Sequence, residues 1–121
     1  MTRIRPATPE DVSLILRLVR ELAEFEREPE AVLATEDMLE RALFGEHPAA
    51  EAVIAEREGA PMGFALFFQN FSTWTGRPGI YLEDLYVTPA ARGAGVGTAL
   101  LRHLAGIALD RGCGRFEWAV L

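Results

Sequence analysis

The chain has 121 residues, 50% hydrophobic and 25% charged, which supports one domain with one core, not two, and excludes disorder. Eighteen acidic against 12 basic residues leave a formal net charge of -6, so nucleic acid and anionic membrane, which need clustered cations, are excluded as main partners. All the cations are arginines; an acidic surface suits a cationic small molecule, or simply keeps the protein soluble.

The N-terminus, MTRIRPATPEDV, lacks the apolar core of a signal peptide. Arg3-Ile4-Arg5 predicts a short strand that Pro6 stops. Thr8-Pro9-Glu10-Asp11 predicts a helix start, with Thr8 as cap, Pro9 at the first helical position and acids at the positive end of the dipole. Val12, Ile15, Leu16, Val19, Leu22 and Ala23 continue it at helical spacing to about Phe25. An acid-rich segment, Glu24 to Glu30, follows and Pro29 breaks it. Thr35-Glu36-Asp37 opens a second helix with Met38, Leu39, Ala42 and Leu43 on its apolar side and Gly45 at its end.

Ala52 to Glu56 reads as a strand, Arg57 to Pro61 as a hairpin turn, and Met62 to Phe71 as a long aromatic strand. Ser72 to Gly79 reads as a loop with Trp74 near its tip. Ile80 to Val87 is the next strand, then a glycine turn, a helix from about Thr98 to Asp110 that Gly112 ends, and a strand from Arg115 to Leu121. The order β-α-α-β-β-β-α-β predicts an α/β or α+β sheet with helices on its faces. The chain stops inside that last apolar strand, so we expect later elements to be missing. No apolar run is long enough to span a bilayer. Cys113 is the single cysteine; it permits no internal disulfide and no cysteine metal framework, and a cytoplasmic location is expected. His47 and His103 have no ligand spacing, so no metal is expected.

A strand, a glycine-rich turn and a helix make an anion site. The first helix amides lack internal partners, the dipole adds positive charge, and glycines admit phosphate oxygens where a Cβ would not. Arg92-Gly93-Ala94-Gly95-Val96-Gly97-Thr98 supplies this pattern, with Arg92 as a cation and Thr98 as a hydroxyl at the expected helix start. The alternative is that the glycines only tighten a turn. A Walker loop needs a lysine, and a dinucleotide fold needs G-x-G-x-x-G straight after its strand; neither is met.

Arg92-x-x-Gly95-x-Gly97, after a strand ending Leu85-Tyr86-Val87-Thr88-Pro89, resembles the acetyl-coenzyme A motif of the GNAT N-acetyltransferase superfamily. Arg5-Pro6-Ala7-Thr8, Phe44-Gly45-Glu46-His47-Pro48, Gly63-Phe64-Ala65, Trp74-x-Gly76 and Tyr81-Leu82-Glu83-Asp84-Leu85 resemble its diamine (spermidine/spermine-type) branch. The resemblance covers essentially the whole chain. It implies one acetyltransferase domain over residues 1–121, with a mixed, mostly antiparallel sheet flanked by helices and lacking the last helix and strands.

It further implies that amides from Arg92 to Thr98 (through Gly93, Ala94, Gly95, Val96 and Gly97) hold the pyrophosphate of acetyl-coenzyme A. The strand edge at Leu85, Tyr86 and Val87 would pair with the pantetheine arm, and an N–H near Leu85 would polarise the thioester carbonyl. The implied reaction moves an acetyl group to a primary amine of a small cationic substrate: a polyamine, a diamine or a lysine-like molecule. A non-catalytic acyl-coenzyme A binding module and a protein or peptide N-acetyltransferase are the alternatives. A homodimer is expected.

A protonated amine cannot attack a thioester, so a base must take its proton. Glu83 resembles the base of the branch, and burial would raise its pKa toward neutrality; otherwise it is a solvent-facing or paired strand acid. Asp84 alternates to the opposite face of the strand, for substrate binding or a structural ion pair. Glu26 and Glu28 either attract the amine or belong to a solvated loop. Trp74 either walls the amine site through a cation–π contact or packs at a dimer interface. The general acid of the superfamily, a tyrosine in a later helix, has no counterpart here and is expected in the missing part.

Overall fold

The computed structural model describes residues 2–119. Strands β1 (Arg3–Pro6), β2 (Glu51–Arg57), β3 (Ala60–Ser72), β4 (Arg77–Val87) and β5 (Arg115–Trp118) alternate with helices α1 (Val12–Phe25), α2 (Glu36–Phe44) and α3 (Val96–Asp110) in the expected order. The five strands form one sheet in sequence order. Every neighbouring pair is antiparallel except β4 and β5, which run parallel because α3 crosses over between them. Val120 and Leu121, which the sequence reading assigned to the last strand, lie outside the described residues.

The pleat divides the core in two. Val53, Ala55, Ala65, Phe67, Ile80 and Leu82 face α3 and pack on Val96, Leu100, Leu104 and Ala108. Ala52, Ile54, Phe64 and Tyr86 face the other way, onto Ile15 and Leu18 of α1 and Leu43 of α2. Ala52 to Ala55 are all buried, which is why β2 reads as an unbroken apolar run: both of its faces are covered.

The helix starts show what the caps do. Pro9–Asp11 forms a short 3-10 turn, and α1 begins only at Val12. Asp11 accepts the Thr8 N–H at 2.8 Å and two N–H groups of Arg5 at 2.7 and 2.9 Å. Arg5 also donates to Glu56 on β2 at 3.2 Å. Asp11 therefore ties β1 and β2 to the entry of α1 rather than serving the dipole alone. The Arg5 guanidinium holds its carboxyl at about 2, well below the usual carboxylate range. At α2, Thr35 Oγ1 accepts the Met38 N–H at 3.2 Å, as its capping pattern predicts.

β4 starts three residues before the expected Ile80, and the expected loop Ser72–Gly79 shortens to a turn at its tip. The ladder runs through Phe71 opposite Pro78 to Ser72 opposite Arg77. Pro78 is tolerated there because its carbonyl faces β5 and accepts the Gly114 N–H at 2.9 Å. Its missing N–H is therefore not one that the β3 ladder needs.

Candidate active site

In β4, Leu82 sits opposite Phe67 and Asp84 opposite Leu66, so Glu83 has no partner on β3. This is a β-bulge, two residues of one strand set against one of the next. It resets the alternation. Leu82 faces α3, and so do Leu85 and Val87 beyond the bulge, whereas Asp84 lies opposite Leu66 on the α1 side. The strict alternation expected of Glu83 and Asp84 is therefore interrupted by the bulge. Both carboxylates line one cavity of roughly 200 Å³, with Glu26 and Leu22 of α1.

Three acids in one cleft raise the cost of ionising the most buried of them. Asp84 is half-buried and its pKa is pushed up to about 6, first by desolvation, then by the charges of Glu83 and Glu26. The rest of the wall is apolar: Leu82, Leu85, Leu101 of α3, and Trp118 and Ala119 at the end of β5. Such a lining accepts a cation on a hydrocarbon chain.

The bulge also marks where the sheet opens. Within the described residues β5 pairs only with Gly79 to Leu82, so the same edge of β4 has no strand partner from Glu83 to Val87. The Thr88 N–H donates to Met62 O at 2.9 Å. Even-numbered residues of this stretch therefore face β3, and the backbone of Leu85 and Val87 faces the opening. Val87 O accepts the Arg92 Nε–H at 3.2 Å; among the described residues the Leu85 N–H and C=O have no strand partner on that side.

Beyond that edge, Gly93 and Gly95 adopt φ of +85° and +79°, backbone that glycine enters without penalty. Gly95 caps α3, which begins at Val96, two residues before the expected Thr98. The amides of Gly93, Gly95, Val96, Gly97 and Thr98 donate to no backbone carbonyl among the described residues, while those of Arg92 and Ala94 make long bonds of 3.4 and 3.3 Å. Five free donors at a helix N-terminus fit the linked phosphates of a coenzyme. At Gly97 an added Cβ would meet only Val87 Cγ2, at 3.7 Å, so this glycine answers no need of the fold itself.

Other expected residues fall elsewhere. Trp74 is 98% exposed and stands with Phe71 and Arg115 at the β3–β4 tip, not in the acidic cleft. Glu28 and Glu26 are both exposed, but only Glu26 lines the cavity. Tyr86 turns its ring into the α1 side of the core, its hydroxyl donating to Glu21 at 3.1 Å. Trp118 was not foreseen as lining the cleft; its signal was the apolar alternation Phe116, Trp118 in a strand parallel to β4. Among the described residues no cluster of His, Cys, Asp or Glu is arranged to hold a metal ion, and no helix is long and apolar enough to cross a membrane.

A sheet opened at a bulge, with a phosphate-type loop beside the opening, is the architecture of an N-acetyltransferase. The acetyltransferase (GNAT) family model matches residues 15–121, and the chain belongs to that family. Thialysine N-epsilon-acetyltransferase of Mus musculus is 43% identical to it over 128 residues, covering 99% of this chain and 75% of that protein. Spermidine/spermine N(1)-acetyltransferase-like protein 1 of Homo sapiens is 36% identical over 126 residues, 98% of this chain and 18% of that protein. Among solved structures, an integron cassette protein from the mobile metagenome of V. cholerae aligns with a TM-score of 0.78 at 28% identity, over 99% of this chain and 75% of that one. The mostly antiparallel mixed sheet flanked by helices, which the sequence resemblance implied, is the observed fold.

Proposed function

We propose that the protein transfers the acetyl group of acetyl-coenzyme A to a primary amine of a small cationic substrate: a lysine-like molecule, a diamine or a polyamine. The observation that carries this is the bulge at Glu83, which sets two carboxylates and Glu26 in one cleft beside the free N–H of Leu85. The names of the relatives, which act on thialysine or carry the spermidine/spermine description, point the same way.

Acetyl-coenzyme A supplies the activated acyl group as a thioester. The amides of Gly93 and of Gly95 to Thr98 hold its phosphates, and the outward edge at Leu85 and Val87 pairs with the amide-bearing arm as an added strand would. The Leu85 N–H meets the carbonyl oxygen on which negative charge develops. Glu26, Glu83 and Asp84 gather the ammonium, and Leu22, Leu82 and Leu101 take its alkyl chain. The proton leaves the nitrogen for the Glu83–Asp84 pair. Burial and the charges of Glu83 and Glu26 raise the Asp84 pKa toward neutrality, so we assign Asp84 the acceptor role first expected of Glu83, and leave Glu83 to hold the cation. The freed lone pair then attacks the carbonyl carbon, the C–S bond breaks, and coenzyme A leaves as its thiol, the thiolate taking up the second proton that the nitrogen sheds on becoming an amide.

We further infer a cytoplasmic homodimer; the unpaired Cys113 supports the compartment, and exposed Phe71 and Trp74 at the β3–β4 tip support a partner there. Thiol release from acetyl-coenzyme A tests the main reading, with thialysine, ornithine, 1,3-diaminopropane, spermidine and a lysine-ended peptide as acceptors. Turnover with the free amines is expected. Coenzyme binding without release for any acceptor would favour a non-catalytic binding module, and release with the peptide alone would favour a protein acetyltransferase.

A further inference from the structure

Arg92 was expected to serve the phosphates, but its side chain is engaged elsewhere. Its guanidinium carbon stands 4.5 Å from the centre of the Phe25 ring and 5.7 Å from that of Tyr86, and its Nε–H donates to Val87 O at 3.2 Å. Phe25 is the last residue of α1 and is 65% exposed. The core therefore gives it little reason to sit there; its evident partner is the cation, through a cation–π contact. One residue further along, Glu26 enters the acidic cleft, and Leu22 of the preceding turn lines it as well. On the other side of Arg92, one residue away, begins the run of free amides at Gly93. The same turn of α1 is held a second time by the Tyr86 hydroxyl on Glu21.

We propose that Arg92 is a positioning residue that ties the phosphate-accepting loop to the end of α1, so that an occupied loop fixes the acidic wall and tightens the hold on the amine. A ligand on the amides of residues 93–98 immobilises the backbone from which Arg92 projects. Through Phe25, that sets where the Glu26 carboxylate stands. Binding at the two places is then coupled, and the coupling is reciprocal: the amine strengthens coenzyme binding by the same factor. This rests on the acetyl-transfer reading of the site, and the two can fail separately.

Calorimetric titration of the whole chain with thialysine, with and without saturating coenzyme A, tests it without turnover. In the native chain coenzyme A is expected to tighten thialysine binding about fivefold, the scale of one partly solvated cation–π contact. Phe25→Leu, at a mostly exposed position where folding is not at stake, is expected to bring that ratio to about one while leaving the affinity for coenzyme A alone unchanged. Phe25→Tyr, which keeps the ring, is expected to restore it. A Phe25→Leu chain that keeps the native ratio, or that weakens thialysine equally with and without coenzyme A, overturns the inference, since the ring would then do no more than shape the wall. Both ligands binding to the native chain with a ratio of one also sinks it and leaves acetyl transfer standing. A native chain that binds no coenzyme A sinks both.

Discussion

Two glycines of one motif separate conformational need from ligand need. Gly95 has φ of +79°, where an L side chain costs about 1–2 kcal/mol. Gly95→Ala is therefore expected to lower stability by that amount and to weaken coenzyme A as well. Gly97 lies inside α3 at ordinary helical backbone, and its Cβ would meet only Val87. Gly97→Ala should leave stability unchanged or raise it by up to about 1 kcal/mol, since alanine suits a helix better, while coenzyme A affinity falls about tenfold. Denaturant melts and coenzyme A titration on both variants check the pair. Asp84 presents the opposite trade. Its carboxyl is ionised at pH 7 against its surroundings, so Asp84→Asn removes a destabilising charge. We expect a gain of about 1 kcal/mol, after allowing for the water that reaches this half-buried group, and a fall in acetyl transfer of about a hundredfold. A variant that lost stability as well as rate would show the carboxylate to be structural. The chemistry of these residues was legible in the sequence: the glycine turn, the acid pair and the arginine were all singled out. Where each side chain points was not, because Phe25 and Arg92 meet only through the fold.

At the scale of elements, the sequence displays whatever repeats with a local period. The apolar faces of α1 and α3, the two-sided burial of β2 and the Thr35 cap all follow from residues within a few positions of one another. The bulge in β4 does not. Leu82-Glu83-Asp84-Leu85-Tyr86-Val87 is compatible with an unbroken pleat, and only the register of β3, with Leu66 and Phe67 opposite Asp84 and Leu82, demands the extra residue. The early start of β4 was hidden for a related reason: Arg77-Pro78-Gly79 has turn composition, and pairing with Asn70 to Ser72 overrides it. Likewise Trp74 and Trp118 are equivalent as letters, and only the parallel pairing of Leu82 with Trp118 brings the second to the cleft. The bulge can be tested by removing it. Deleting Glu83 leaves Leu82 opposite Phe67 and Asp84 opposite Leu66 in plain alternation, with Leu82, Leu85 and Val87 still toward α3 and Asp84 and Tyr86 still toward α1. The denaturant midpoint is therefore expected to report a stability change of less than about 1 kcal/mol, while acetyl transfer falls, because the local bend at the opening and one acid of the cleft are both lost. A deletion that cost about 3 kcal/mol or more would mean that Glu83 itself holds the ladder together at the bulge.

For the molecule as a whole, Asp11 and Asp84 make stability depend on pH with opposite signs. The Asp11 pKa is lowered from 3.8 to about 2 by the Arg5 hydrogen bonds, so the unfolded chain binds its proton more readily. That contribution is complete above about pH 4 and is lost as pH falls toward 2. The Asp84 pKa is raised from 3.8 to about 6 by burial and by its acidic neighbours, so here the folded chain holds the proton more readily. The stability linked to it is complete below about pH 4 and is lost as pH rises through 6. Stability should therefore climb between pH 2 and 4 and, as far as Asp84 governs it, decline between pH 4 and 6. Urea titrations at closely spaced pH values measure both limbs. Asp84→Asn should flatten the upper limb and leave the lower one intact; Asp11→Asn should flatten the lower limb and reduce stability at pH 7 by about 2–3 kcal/mol, because the part-buried Arg5 loses its main partner. Bound amine should act on the upper limb as well. A cation beside Asp84 favours the carboxylate and lowers its folded-state pKa, so saturating thialysine should bring the end of the decline to a lower pH and shorten the upper limb, as it would for no group outside the cleft. An upper limb that ignored both Asp84→Asn and the amine would place the raised carboxyl somewhere other than the acetyl-transfer site.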